Sequence, residues 1–129
     1  MVFAAVAWIA LLLAAPFLPT ALSALTYAFG SLICHQIPER SFHLQAFQLP
    51  VCARCFGIYS GAAAGTVWMG RLSGDARRLT MVAAVPTLVT LALEWAGLWY
   101  PSNATRAIAG APLGFVVAFV LLRATLHYD

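Results

Sequence analysis

Apolar residues fall in long runs along this chain, interrupted by a few short polar stretches, and the runs set the expected elements. The first, about Val2 to Leu18, is predicted to be a transmembrane helix. Pro16 and Pro19 bend or end it, because proline removes a backbone donor and clashes with the preceding turn. From Thr20 to Ile33 the chain is apolar again but interspersed with Ser23, Thr26, Tyr27, Gly30 and Ser31. About fourteen residues rise only ~21 Å, short of the roughly 30 Å of a hydrocarbon core. This run is predicted to be an interfacial or re-entrant helix; the alternative is one long kinked helix from Val2 to Ile33.

Residues 36–51 make the only substantial polar loop, held by Pro38 and Pro50. A second span is expected over 52–70, where Gly57, Gly61 and Gly65 recur four apart on one helical face and allow a neighbouring backbone to approach closely. A short basic turn with Arg71, Gly74, Asp75, Arg77 and Arg78 follows. The third span, about 79–99, is kinked near Pro86 and ends in Trp95, Trp99 and Tyr100, an aromatic set suited to a membrane interface. Ser102 or Asn103 can cap the fourth, about 105–126, which carries Gly110, Pro112 and Gly114. Facing glycines make the second and fourth spans the expected close pair. The expected fold class is therefore an all-α integral membrane protein: a single membrane domain over 1–129, with four transmembrane helices and the interfacial helix at 20–33 preceding a Cys/His loop at 34–55.

Composition agrees with a bilayer setting. Of the 129 residues, 63% are hydrophobic and 9% charged, against about a quarter charged in soluble domains. All seven basic residues are arginine, giving a formal charge of +3. So small an excess, with no basic face, excludes nucleic-acid binding as the leading reading and bears instead on topology. Arg71, Arg77 and Arg78 cluster in one turn and Arg123 lies near the C-terminus, while Arg40, Arg54 and Arg106 fall on the other side. The expected orientation places both termini in the cytoplasm and the Cys/His loop outside.

The candidate chemistry lies between Cys34 and Gly65. Cys52-Ala53-Arg54-Cys55 opens a helix, where unsatisfied backbone amides and the helix dipole favour thiolate over thiol. With Cys34 and one histidine, the set is three sulfurs and a nitrogen, a common tetrahedral zinc shell. An odd cysteine count argues against a closed disulfide framework. The nitrogen ligand is His35 or His43, and spacing favours His43, midway between Cys34 and Cys52. Any one cysteine alone would read as a small apolar packer, His127 as a solvated end residue, and Asn103-Ala104-Thr105 as a chance glycosylation match. Glu94 is an acidic residue inside a predicted span, costly unless paired or facing water; its bland role is an ion pair with Arg106 that clamps two helices.

The run Cys34-His35-Gln36-Ile37-Pro38-Glu39-Arg40-Ser41-Phe42, followed by Pro50-Val51-Cys52-Ala53-Arg54-Cys55-Phe56-Gly57-Ile58-Tyr59-Ser60-Gly61, resembles the signature of a small prokaryotic membrane-protein family known as domain of unknown function 2085. The resemblance is close over Tyr27 to Gly65. It is looser at Ser102-Asn103 and Arg106, similar to the family's Ser-x-Asn-x-x-Arg region but different in spacing. It implies a small multi-helix membrane protein with a Cys/His site, with His35 as the nitrogen ligand because the family pattern reads Cys-His-Gln. It implies no established reaction.

Three classes of function follow. In the first, Cys34, His35, Cys52 and Cys55, with His43 as the substitute nitrogen, bind a structural zinc ion or another transition metal. The ion staples the extramembrane loop of an accessory or packing subunit, whose partners are the lipid bilayer and other membrane-protein subunits or further copies of itself. In the second, the chain is a membrane-embedded metalloenzyme acting on a lipid or isoprenoid, with Glu94 as acid/base and Arg40 or Arg106 holding a phosphate. In the third, it handles metal ions or thiol redox equivalents. Four candidate ligands favour the first, since catalytic zinc keeps an open position. The chain contains no His-Glu-x-x-His, nucleophile elbow or phosphate-binding glycine loop.

Overall fold

Pro16 sets the length of the first helix. In the computed structural model, which describes residues 2–68 and 75–126, α1 (Val2–Ala14) gives way to a 3-10 turn over Ala15–Phe17 that contains Pro16. Pro19 then lets the chain extend before α2 (Thr20–Ile33), which stops at Cys34 in extended backbone. A second 3-10 turn, Pro38–Arg40, leads into β1 (Ser41–Leu44) and β2 (Phe47–Cys52). β2 runs directly into α3 (Ala53–Val67); α4 (Ala76–Trp95) and α5 (Asn103–Leu126) complete the order.

The expected four transmembrane helices are not what forms. Only two of the five helices among the described residues, α4 and Asn103–Thr125 within α5, are long and apolar enough to cross a membrane. The 13 residues of α1 rise about 20 Å, because Pro16 interrupts the apolar run that hydropathy alone would join. The 15 residues of α3 rise about 22 Å. The all-α reading fails as well, since residues expected to form a loop make a two-stranded antiparallel sheet. The helix at Thr20–Ile33 has its expected bounds and is separate from α1. Arg71, Gly74 and His127 lie outside the described residues.

Leu44 pairs with Phe47, which leaves Gln45 and Ala46 as a two-residue turn with φ of 48° and 71°. Two successive positive φ values give the turn whose twist matches a hairpin's. A register shift between Ser41 and His43 marks a bulge. Pro50 is tolerated inside β2 because both strands of a two-stranded sheet are edges. Leu49, Pro50 and Val51 are fully buried, where the strand passes beneath the helices. Val51 joins Leu12 of α1 and Cys34 in one apolar cluster.

α3 and α5 are the close pair that the glycine spacing predicts. A Cβ added at Gly57, Gly61 or Gly65 would run into the backbone of Ala107, Ala111 or Phe115, and one at Gly110 would lie 2.6 Å from the Arg54 carbonyl oxygen. Side chains are excluded on both faces, so the backbones touch. α4 lies against the same helix, where the Thr87 hydroxyl donates to the Ala109 carbonyl at 2.7 Å. α4 ends at Trp95, short of the expected Trp99, with Gly97 at φ 69° in the following turn. Of the two cap candidates, Ser102 takes the role: its Oγ accepts from the Thr105 amide at 3.2 Å.

Candidate metal centre and the arginine cluster beside it

Three changes of backbone direction bring the cysteines together. Cys34 follows the last turn of α2, Cys52 ends β2 and flanks α3, and Cys55 lies in the first turn of α3. Their sulfurs all lie within 4.8 Å of one another, and none is in a disulfide. A tetrahedral zinc ion with Zn–S near 2.3 Å would hold its sulfurs about 3.8 Å apart, so a small contraction makes this a zinc-sized triad. Cys34 is buried and the other two are half-buried.

The environment favours negative charge on sulfur. The Cys52 amide donates to the Cys34 sulfur at 3.1 Å, and the N-terminus of α3 directs partial positive charge at Cys52 and Cys55. The Cys52 thiol is drawn down to about 5, chiefly by a hydrogen bond from Cys55 and against the cost of burial. Cys55 moves the other way, since its proton is held by Cys52 and burial disfavours its charged form. Of Cys52 and Cys55, the metal-free protein thus ionises Cys52 first.

Neither histidine joins the sulfurs in the triad. His35 is exposed and lines a cavity of about 370 Å³ that Cys34, Cys52 and Cys55 also border. His43 is exposed on β1, paired across the hairpin with Gln48.

A polar network holds the hairpin in place. Gln36, itself at φ 50°, donates through Nε2 to the Tyr27 carbonyl at 2.8 Å and the Pro50 carbonyl at 2.7 Å. Its own carbonyl accepts from Gln48 Nε2 at 2.6 Å. The Tyr27 hydroxyl donates to the Gln48 carbonyl. Ser41, fully buried, donates to the Ile37 carbonyl at 2.8 Å and accepts from Asn103 Nδ2 at its own carbonyl at 2.9 Å.

Glu94, near the end of α4, is 4% exposed and meets three arginines. The expected partner Arg106 reaches Oε1 at 2.7 Å, Arg40 reaches the same oxygen at 3.1 Å, and Arg54 reaches Oε2 at 3.3 Å. Asn103 Oδ1 accepts from Arg106 at 2.9 Å, and Arg54 also donates to Thr90 at 3.4 Å. The hairpin approach, α3, α4 and α5 therefore meet at one carboxylate. All three arginines border the cavity that the sulfurs line, so the cysteine and arginine clusters share a wall.

A family model described as a predicted membrane protein (DUF2085) matches residues 34–120, from Cys34 through both clusters. The chain belongs to this family. Among DUF2085 chain's relatives, an uncharacterized protein of Methanocaldococcus jannaschii is 37% identical over 102 residues, covering 74% of this chain and 65% of that protein. This chain thus spans just under two thirds of that relative's length. An uncharacterized protein of Methanothermobacter thermautotrophicus is 30% identical over 99 residues, covering 74% of this chain and 88% of its own. No solved structure matches the chain.

Sequence reasoning missed the parts played by Gln36, Gln48 and Ser41, and did not join Arg40 and Arg54 to Glu94. Gln36 follows Cys34-His35 directly and offered some signal. The others become visible only once the hairpin is formed.

Proposed function

We propose that this DUF2085 protein binds one zinc ion through Cys34, Cys52 and Cys55, and that the ion is structural. The carrying observation is the gathering of three sulfurs from the end of α2, the end of β2 and the start of α3 within 4.8 Å. An ion there ties two helices and the hairpin together where the surrounding apolar cluster is small. His35, next to Cys34 and on the shared cavity, supplies the fourth ligand by a rotamer change.

The protein acts as an accessory subunit in a membrane assembly. Large apolar side chains on α1 and α2, including Phe3, Leu25, Phe29 and Leu32, are exposed, and these helices are too short to span alone. Lipid and neighbouring subunits, or a second copy, cover them. The end carrying Arg77, Arg78 and Arg123 faces the cytoplasm, which directs the sulfur cluster outward.

Elemental analysis of the purified protein, with a thiol count under denaturing and native conditions, tests the site. One zinc per chain and no reactive thiol in the native protein is expected; three reactive thiols without metal refutes it. A metalloenzyme is the second reading, favoured by the three-sulfur set and the cavity beside it, since catalytic zinc has three protein ligands and an open position. If His35→Ala retains stoichiometric zinc, that second reading gains.

A further inference from the structure

Three guanidinium groups converge on a single carboxylate, and the charges do not cancel. Arg40 and Arg106 share Oε1 of Glu94 while Arg54 takes Oε2, so the cations exceed their shared anion by two. Glu39 is exposed and forms an ion pair with none of them. Among the described residues no second carboxylate pairs with these arginines, so an excess of positive charge remains. Uncompensated charge in a largely buried site is costly.

Two donors in the cluster also lack acceptors. Among the described residues, Nε of Arg54 and Nε of Arg106 are buried without a hydrogen-bond partner, and Arg106 is 7% exposed. Both arginines, with Arg40, line the cavity of about 370 Å³, at the small end of the roughly 300–1,000 Å³ typical of ligand pockets. Guanidinium forks suit phosphate and carboxylate oxygens best. Much of the remaining wall is apolar, with Ile33, Leu91 and Trp95.

The position of the cluster narrows the ligand. Glu94 is one residue from the end of α4 and Arg106 is in the first turn of α5, so both lie at the same end of the two long apolar helices. Trp95, Trp99 and Tyr100 are exposed at that end, and such aromatics mark the headgroup level of a bilayer. We propose that Arg40, Arg54 and Arg106 bind the phosphate of an anionic lipid headgroup, with the lipid's chains leaving along the apolar wall. The site stands on the arginines alone and needs no metal in the sulfur cluster.

The test measures binding to the full-length protein in uncharged detergent by titration calorimetry. The probes are phosphatidic acid in mixed micelles, phosphatidylcholine in the same micelles, and inorganic phosphate. Phosphatidic acid should bind, phosphatidylcholine should bind at least about tenfold more weakly, and Arg40→Gln should weaken phosphatidic acid about tenfold, the scale of one charged hydrogen bond. Arg123→Gln, at the opposite end, should change nothing. Glu94→Gln removes the internal competitor, so the folded variant should bind phosphatidic acid more tightly than wild type, whereas a purely structural ion cluster predicts no gain. Arg40 is partly exposed and its variant is expected to fold, so it decides the matter even if Glu94→Gln does not. Equal binding of the two lipids, or an Arg40→Gln protein indistinguishable from wild type, overturns the proposal. Inorganic phosphate binding as tightly as phosphatidic acid overturns the lipid assignment. Repeating the titration after chelation separates the two readings: lipid binding that survives in protein shown to hold no zinc leaves this inference standing and removes only the metal.

Discussion

The side-chain amide of Asn103 donates to the backbone carbonyl of Ser41 at 2.9 Å, joining the start of α5 to the start of the hairpin across 62 residues of sequence. The same side chain accepts from Arg106 at 2.9 Å, so one residue seats the hairpin and aims an arginine at Glu94. Asn103→Ala would remove a hydrogen bond to the carbonyl of a fully buried residue together with the contact to Arg106, at a cost of about 1–3 kcal/mol. Thermal unfolding in detergent should show a clear drop in midpoint. Asn103→Asp should recover only part of it, because aspartate keeps the contact with Arg106 but cannot donate.

The hairpin turn is built from residues poorly suited to it. Gln45 and Ala46 both hold positive φ, where asparagine and glycine are at ease. Replacing the pair with Asn-Gly should stabilise the hairpin by roughly 0.5–1 kcal/mol. Slower proteolysis between Phe42 and Phe47, with unchanged binding properties, is the expected readout; faster cleavage would contradict the turn geometry.

The α3–α5 contact leaves no room for side chains. Gly61→Leu should force the backbones apart and cost at least about 1–3 kcal/mol, while Ala64→Leu, at an exposed position of α3, should be nearly silent. A crosslink between cysteines placed at Ala62 and Leu113, in a background lacking the native cysteines, should form in wild-type helices and fade with Gly61→Leu.

Each sulfur should matter for metal. Serine at Cys52 or Cys55 should abolish stoichiometric zinc and open residues 36–51 to protease. Alanine at His35 against alanine at His43 identifies the nitrogen ligand: whichever lowers metal content is the donor, and His127→Ala should do neither.

Protonation of Cys52 and Cys55 sets a pH dependence in metal-free protein that rises and then falls. Cys52 titrates near 5 rather than 9.0, so between those values the unfolded chain binds a proton that the folded chain does not, and stability rises with pH. Above about pH 9 the raised Cys55 reverses the slope, because the folded state then retains the extra proton. The contribution of Cys52 and Cys55 should therefore peak near pH 9. Alkylation followed by mass spectrometry should find Cys52 modified first at pH 7, and a first reaction at Cys55 would invert the assignment.

What could be read in advance follows the range of the interactions. The closeness of Cys52 to Cys55 and the stacking of Gly57, Gly61 and Gly65 against α5 are inscribed in local spacing, because helical periodicity fixes which residues share a face, whereas Cys34 reaches them only through the reversals of the chain after α2. The pairing of Glu94 with Arg106 follows from the cost of a lone carboxylate in an apolar run. The hairpin was hidden: its turn contains neither glycine nor asparagine, and Pro50 argues against a strand. The number of spans was overstated because hydropathy joins residues across Pro16, which ends α1 at Ala14, and counts more residues after Cys52 than the 15 that α3 contains. Arg40 meets Glu94 solely because the hairpin folds back, and no spacing along the chain encodes that.

Arg54 lies two residues after Cys52 and immediately before Cys55, its carbonyl presses on Gly110 of α5, and its guanidinium crosses to Thr90 and Glu94 of α4. It is a strut with one foot in the thiol triad and the other on a membrane-length helix. A tilt of the first turn of α3 would be carried through that strut to α4. The first turn of α3 and the last turns of α4 are thus braced against each other by a side chain that starts between two cysteines.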